Sequence, residues 1–185
     1  MAEERINIWN EAAVPGLVLG FVSIAYMVVT MLTSKLAGTG GTAVLIGILD
    51  FVLWAVKFAA CILLLRHFLL AFSKRNPSAD NRKVFHFGMA TALFSALLYS
   101  GFYLVYVLYI DPEMLSSAME TALASYSGMM DSGTLAAMQD ILPDMPAIGF
   151  FSNLIWCWLF GTVLSSIFSR NIPAPVQDDP FKDNQ

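Results

Sequence analysis

Between Lys83 and Arg170 the sequence has no lysine or arginine. The same stretch carries acidic residues at Asp111, Glu113, Glu120, Asp131, Asp140 and Asp144. Charged residues are scarce throughout, at 13% of the chain, against about 25% in soluble domains. This scarcity excludes an ordinary soluble domain, and the lack of a basic face argues against nucleic acid as a partner. We therefore expect an integral membrane protein whose cations are confined to one side.

Cysteine is also scarce, and the two thiols, Cys61 and Cys157, both lie deep in apolar runs. Buried free cysteines behave as small hydrophobic residues, so we assign them to packing rather than to a disulfide or a metal. The motifs HExxH, GxSxG and CxxC and the phosphate-binding glycine loop are all missing. The sequence therefore predicts no enzyme, no metal site and no cofactor.

What the chain does contain is a set of apolar runs, each long enough for the roughly 20 residues of a bilayer crossing. The predicted spans are residues 12–32, 43–65, 84–110 and 149–168. They predict an all-α polytopic membrane protein with four transmembrane helices in an antiparallel bundle. This domain covers residues 12–170, between an N-terminal tail at 1–11 and a disordered C-terminal tail at 171–185.

The cations gather on one side of the predicted bundle. A basic rim surrounds the connection between spans two and three and consists of Arg66, Lys74, Arg75, Arg82 and Lys83. Lysine and arginine in short loops set membrane orientation, whereas acids contribute little. We therefore predict that both termini are cytoplasmic. The rim also suits anionic lipid head groups, although orientation alone accounts for it.

Residues 111–146 form the predicted external segment, with an amphipathic helix between spans three and four. From Leu115 onward, apolar residues recur at every third or fourth position, and Asp111 is the expected N-cap. The apolar face is expected to lie on the membrane surface, cap the bundle or dock a partner. The acids could also concentrate cations at a pore mouth.

Small residues spaced four apart predict the faces on which the helices meet. Lipid is as apolar as leucine, so helices in a bilayer associate through close van der Waals contact. The predicted packing residues are Gly16 and Gly20 in span one and Gly88, Ala92, Ala96 and Ser100 in span three. These faces predict either contacts within one chain or an interface between two copies.

Two ionisable residues fall inside span two, Asp50 and Lys57. Such groups cost about 2.5 to 3.5 kcal/mol each on insertion scales, so they usually face protein or water and often mark a pathway. They lie two turns apart on nearly the same helix face, about 10 Å along the axis. We take them as the candidate polar site. The alternative is that Asp50 lies near the external surface, that Lys57 reaches toward water, and that both only fix depth and register.

The order of parts carries a resemblance. A basic linker leads into a phenylalanine-rich entry, VFHFGMATALF, at Val84–Phe94. The tyrosine-rich span that follows closes in YIDPE at Tyr109–Glu113, and the last span ends in Ser169 and Arg170. Over roughly residues 16–170 the chain resembles an uncharacterised family of four-span bacterial inner-membrane proteins, a domain of unknown function. The resemblance implies a location in the bacterial inner (cytoplasmic) membrane and supplies no catalytic residues.

The favoured interpretation is a non-enzymatic inner-membrane protein, an interaction or accessory component. Its expected partners are the lipid bilayer and either another membrane protein or a second copy of the chain. The alternative is a small oligomeric transporter or channel that uses Asp50 and Lys57. A wet cavity around both residues favours transport, and a dry bundle favours the accessory role.

Overall fold

The computed structural model describes residues 7–36, 41–77, 79–126 and 132–172, and all regular structure in these ranges is helical. The helices are α1 Ile8–Leu36, α2 Gly41–Arg75, α3 Asn81–Val105, α4 Glu113–Tyr126, α5 Ser132–Ile141 and α6 Met145–Arg170. A π-helical turn, Tyr106–Ile110, continues α3, and a 3₁₀ turn, Leu142–Asp144, leads into α6. The predicted all-α fold is confirmed.

Four of these helical stretches are long and apolar enough to cross a membrane. They are Ile8–Thr33, Val44–Arg75, Asn81–Ile110 and Leu142–Arg170. This confirms the prediction of four transmembrane helices, and the protein is a multi-pass membrane protein. The predicted tails at 1–11 and 171–185 lie mostly outside the described residues.

Helix α2 continues well past the predicted span end at residue 65. In its last turns Leu69 and Phe72 are fully buried, whereas Lys74 and Arg75 are exposed. The ring of Phe72 stacks on that of Phe87 in α3, with centroids 4.2 Å apart. One apolar face therefore keeps α2 packed on the bundle while its charged face reaches water, so the helix does not end where the apolar run ends.

Successive membrane helices run in opposite directions, but two neighbours in the bundle are parallel. Helix α3 packs between α1 and α6. Gly16 of α1 lies beside Phe94 of α3, and Gly20 lies beside Leu98 one turn further along both helices. Helices α1 and α3 therefore run side by side in the same direction. Helix α2, by contrast, is antiparallel to α3, because Phe72 near the end of α2 packs on Phe87 near the start of α3.

Helix α4 contacts the bundle through an apolar side chain. Leu115 packs against a buried cluster of Met27, Tyr106 and Val107. Asp111, predicted as the N-cap of this helix, instead accepts a hydrogen bond at its carboxylate from the Tyr106 hydroxyl, at 3.0 Å. Its backbone N–H also donates to the Tyr106 carbonyl, closing the π-helical turn. Of the three roles expected for the apolar face, this contact matches a cap on the bundle.

Candidate functional site

The predicted packing residues lie between helices of the same chain. A Cβ added to Gly20 would come within 2.8 Å of Leu98. One added to Gly88 would come within 2.7 Å of Ser165 Cβ and 2.9 Å of Leu69 Cδ2. The other members of the α3 seam are buried: Ala92, Ala96 and Ser100. These seams draw α1 and α6 tightly onto α3, whereas α2 packs on α3 through its last turns, at Leu69 and Phe72.

Before those last turns α2 stands apart from α3, and the bundle there contains a cavity of about 500 Å³. All four membrane-spanning helices contribute to its wall. The lining residues are Leu19, Ser23 and Tyr26 of α1; Trp54, Lys57, Phe58, Cys61 and Leu65 of α2; Ala92, Ser95 and Tyr99 of α3; and Asn153, Trp156, Cys157, Phe160, Gly161 and Leu164 of α6. The volume lies in the range of about 300 to 1,000 Å³ that is usual for ligand pockets.

Lys57 is the charged side chain among these lining residues. Its Nζ lies 5.6 Å from the ring centroid of Tyr26 and 5.8 Å from that of Tyr99. Both distances fall within cation–π range, so the two rings hold the ammonium group over the cavity. Of the carboxylates in the described ranges, none forms an ion pair with Lys57. A half-buried cation therefore lies inside the bundle without a carboxylate partner among the residues that the structure describes.

Asp50 is not among the residues that line the cavity, although its charge acts on Tyr26, which does line it. Its Oδ1 accepts a hydrogen bond from Thr33 Oγ1 at 2.8 Å, which ties the first turns of α2 to the end of α1. At about 1.5 Å per residue, Asp50 is about 9 Å along the axis from Val44, where the span begins. The two residues predicted as one polar site are thus separated: Asp50 joins two helices, and Lys57 faces the cavity.

Three further polar groups on the cavity wall are Asn153, Cys61 and Cys157. The cysteines are free and half-buried on facing parts of α2 and α6. Asn153 adds a neutral amide that can both donate and accept hydrogen bonds. The sequence analysis assigned both thiols to packing and did not single out Asn153. The signal that could have identified Asn153 is an amide inside an apolar span.

The basic rim lies at the opposite end of the bundle from α4 and α5. Arg66, Lys74, Arg75 and Arg82 are exposed, and Lys83 is half-buried. Arg75 Nη1 forms an ion pair with Glu11 Oε2 at 3.3 Å and so links α2 to α1. The structure thus places the rim apart from the cavity. Within the described ranges, no three His, Cys, Asp or Glu side chains come together as a metal site.

A family model described as "Protein of unknown function (DUF4199)" matches residues 15–170. No curated protein and no solved structure matches the chain. The matched range contains every residue that lines the cavity. It also confirms the resemblance to an uncharacterised family. The chain belongs to the DUF4199 family of proteins of unknown function.

Proposed function

We propose that this protein is a non-enzymatic membrane protein that binds a small ligand in the cavity inside its bundle, as a small transporter or a membrane receptor does. The observation that carries the proposal is Lys57, held between Tyr26 and Tyr99 on the wall of an apolar cavity. Ionisable residues inside membrane spans are costly and usually functional. A pocket with apolar walls and a few convergent polar groups is the usual form of a ligand site.

The proposal is tested by filling the cavity. Wild-type protein in phosphatidylcholine vesicles is offered alkyl amphiphiles that carry a photoreactive diazirine and an anionic, neutral or cationic head group. We expect at least one to label the protein saturably. Ser95→Phe, which places a ring in the cavity, is expected to abolish that labelling. The matched control is Leu97→Phe, at an exposed position of the same helix.

Both variants should elute from a size-exclusion column and melt like the wild type, because Ser95 opens onto the cavity and Leu97 onto the outer surface. Absence of saturable labelling of the wild type by every probe would overturn the proposal. Equal labelling of the Ser95→Phe variant and the wild type would place the probes on the lipid-facing surface and would also contradict it.

The proposed setting is the bacterial inner membrane, with both termini cytoplasmic and α4 and α5 external. The support is the distribution of cations, since Arg66, Lys74, Arg75, Arg82 and Lys83 cluster at or near the α2–α3 connection. A reporter that fluoresces only in the cytoplasm is expected to be bright when fused after Gln185 and dark when inserted near Ser132. The opposite pattern would invert the orientation while leaving the cavity unchanged.

An accessory role through the amphipathic segment stays a prediction. It rested on the apolar face of α4, and the contact of Leu115 with the buried cluster around Tyr106 turns part of that face toward the bundle. Helix α4 therefore offers less apolar surface to a partner than its sequence pattern indicates, and the cavity is the better supported site.

A further inference from the structure

The cavity has an opening, and the exposure of its lining residues locates it. Side chains contributed by α1 and α3, such as Leu19, Ser23 and Ala92, are buried. Those contributed by α2 and α6 include aromatic residues that are exposed: Trp54 at 47%, Phe58 at 37%, Trp156 at 75% and Phe160 at 39%. A side chain that both lines a cavity and reaches the outer surface lies at its mouth. The mouth is therefore the gap between α2 and α6.

This mouth faces the bilayer interior. The rings of Phe58 and Phe160 meet across it with centroids 5.3 Å apart, and Trp54 stacks on Phe58 at 5.4 Å. At about 1.5 Å per residue, Lys57 lies about 20 Å from Val44 and about 27 Å from Arg75 along α2. The mouth is thus near mid-membrane, beside acyl chains, and a molecule that passes through it comes from the lipid phase.

The groups behind the mouth define the chemistry that fits. Lys57 supplies one positive charge without a carboxylate partner in the described chain. Tyr26, Tyr99 and Asn153 supply polar atoms beside it, and Leu19 and Leu164 are apolar wall. In a medium of low dielectric constant an unpaired cation strongly favours a nearby anion. The remaining wall favours an apolar body.

We infer that the cavity takes an amphiphile with one anionic group and an apolar body, which enters from the bilayer between α2 and α6 and pairs with Lys57. This inference rests on the proposed ligand-binding function and names its ligand class. The anionic group belongs either to a free single-chain acid or to the head group of an anionic phospholipid, since both present a negatively charged oxygen to Lys57.

The test uses the full-length protein in phosphatidylcholine vesicles and four probes that share one diazirine-bearing chain. The probes are an alkyl carboxylate, a phosphatidylglycerol, the matching alcohol and the matching trimethylammonium compound. We expect saturable labelling by an anionic probe, with half-saturation at least about tenfold lower than for the alcohol, because hydrogen bonds to charged groups contribute a factor of that order. The anionic probe that labels more strongly identifies the source of the charge.

Substitutions at Lys57 separate charge from shape. Lys57→Met is expected to remove the preference for anionic probes and to raise the concentration of the anionic probe at half-saturation by about tenfold or more. Lys57→Arg is expected to keep the preference. Lys35→Met is the matched control, because it makes the same substitution at an exposed lysine of α1 that is not part of the cavity wall. It should leave all four probes unchanged. Melting of each variant in the same lipid establishes that it is folded.

The position of the label tests the mouth. We expect the labelled peptides to come from α2 and α6 around Trp54, Phe58 and Phe160, and an unlabelled competitor of the same charge should remove that label. Competed labelling at Phe21, an exposed residue of α1, would contradict entry between α2 and α6. Saturable labelling without an anionic preference, or with one that survives Lys57→Met, would overturn this inference while the ligand-binding function stands. Failure of every probe would overturn both.

Discussion

Gly88→Leu is expected to destabilise the folded bundle by about 3 kcal/mol. Gly88 is buried where three helices meet, α3 itself with α6 and α2. Even a Cβ at this position would lie 2.7 Å from Ser165 Cβ and 2.9 Å from Leu69 Cδ2. Leucine adds a branched chain beyond that Cβ, so α2 or α6 has to move away from α3. Separated helices lose the close van der Waals contact that holds them together in lipid.

The matched control is Gly101→Leu in the same helix. A Cβ at Gly101 would meet nothing within 4 Å. Leucine also has the better helix propensity, by up to about 1 kcal/mol, so this variant should be as stable as the wild type or more so. The unfolding free energy of both variants is measured in bicelles by steric trapping. Equal effects at the two positions would show that the α3 seam is not the contact on which the bundle depends.

This difference between two glycines also shows how far the sequence specifies the fold. The small residues at Gly88, Ala92, Ala96 and Ser100 recur on one helix face, so their use as a packing seam could be predicted from spacing alone. Hydropathy likewise predicted the four crossings, because length and apolarity are local properties of each run. Which seam meets which helix depends on the three-dimensional arrangement, and the parallel contact of α1 with α3 is not encoded in any single span.

The candidate site was predictable only in part, for the same reason. Lys57 is conspicuous in sequence because it is a charge inside an apolar run. Its neighbours come from α1, α3 and α6, and no periodicity within α2 could name Tyr26, Tyr99 or Asn153. Spacing also grouped Asp50 with Lys57, since both lie on one helix face. Spacing could not show that Thr33 of α1 donates a hydrogen bond to Asp50, because that contact joins two different helices.

The cavity exists because the helices are held unequally. Helix α3 is fixed on both sides by glycine and alanine contacts at Gly16, Gly20 and Gly161, whereas α2 carries the bulky side chains Trp54 and Phe58 where it faces α6. Aromatic rings of this size keep two helices apart at the level of Lys57. The half of α2 that borders the cavity therefore has less packing to lose in a movement than its last turns, where Leu69 and Phe72 are buried.

Lys57→Met and Asp50→Leu are expected to change stability in opposite directions. In the folded bundle Lys57 is fixed on the wall of an apolar cavity, whereas in the unfolded protein, whose helices remain in the bilayer, it can reach toward the head groups. Lys57→Met therefore relieves only part of the about 2.5 to 3.5 kcal/mol that a central lysine costs on insertion scales. The substitution also removes the cation–π contacts of Lys57 with Tyr26 and Tyr99, which stabilise the folded bundle by about 0.5 to 2 kcal/mol. We therefore expect Lys57→Met to stabilise the ligand-free bundle by about 1 kcal/mol.

Asp50→Leu should instead destabilise it by about 0.6 kcal/mol, the average for a hydrogen bond between membrane helices. Asp50 lies near the end of its span, so relief from burial is small there, and Thr33 Oγ1 keeps the Thr30 carbonyl as its acceptor at 2.9 Å. The unfolding free energies of both variants are compared with the wild type in the same bicelles, without added amphiphile. If replacing a residue stabilises the protein but abolishes ligand binding, that residue serves function rather than folding. If Lys57→Met lowers the free energy of unfolding more than Asp50→Leu does, then Lys57 is a structural residue. That result would contradict the proposal that the cavity is the functional site.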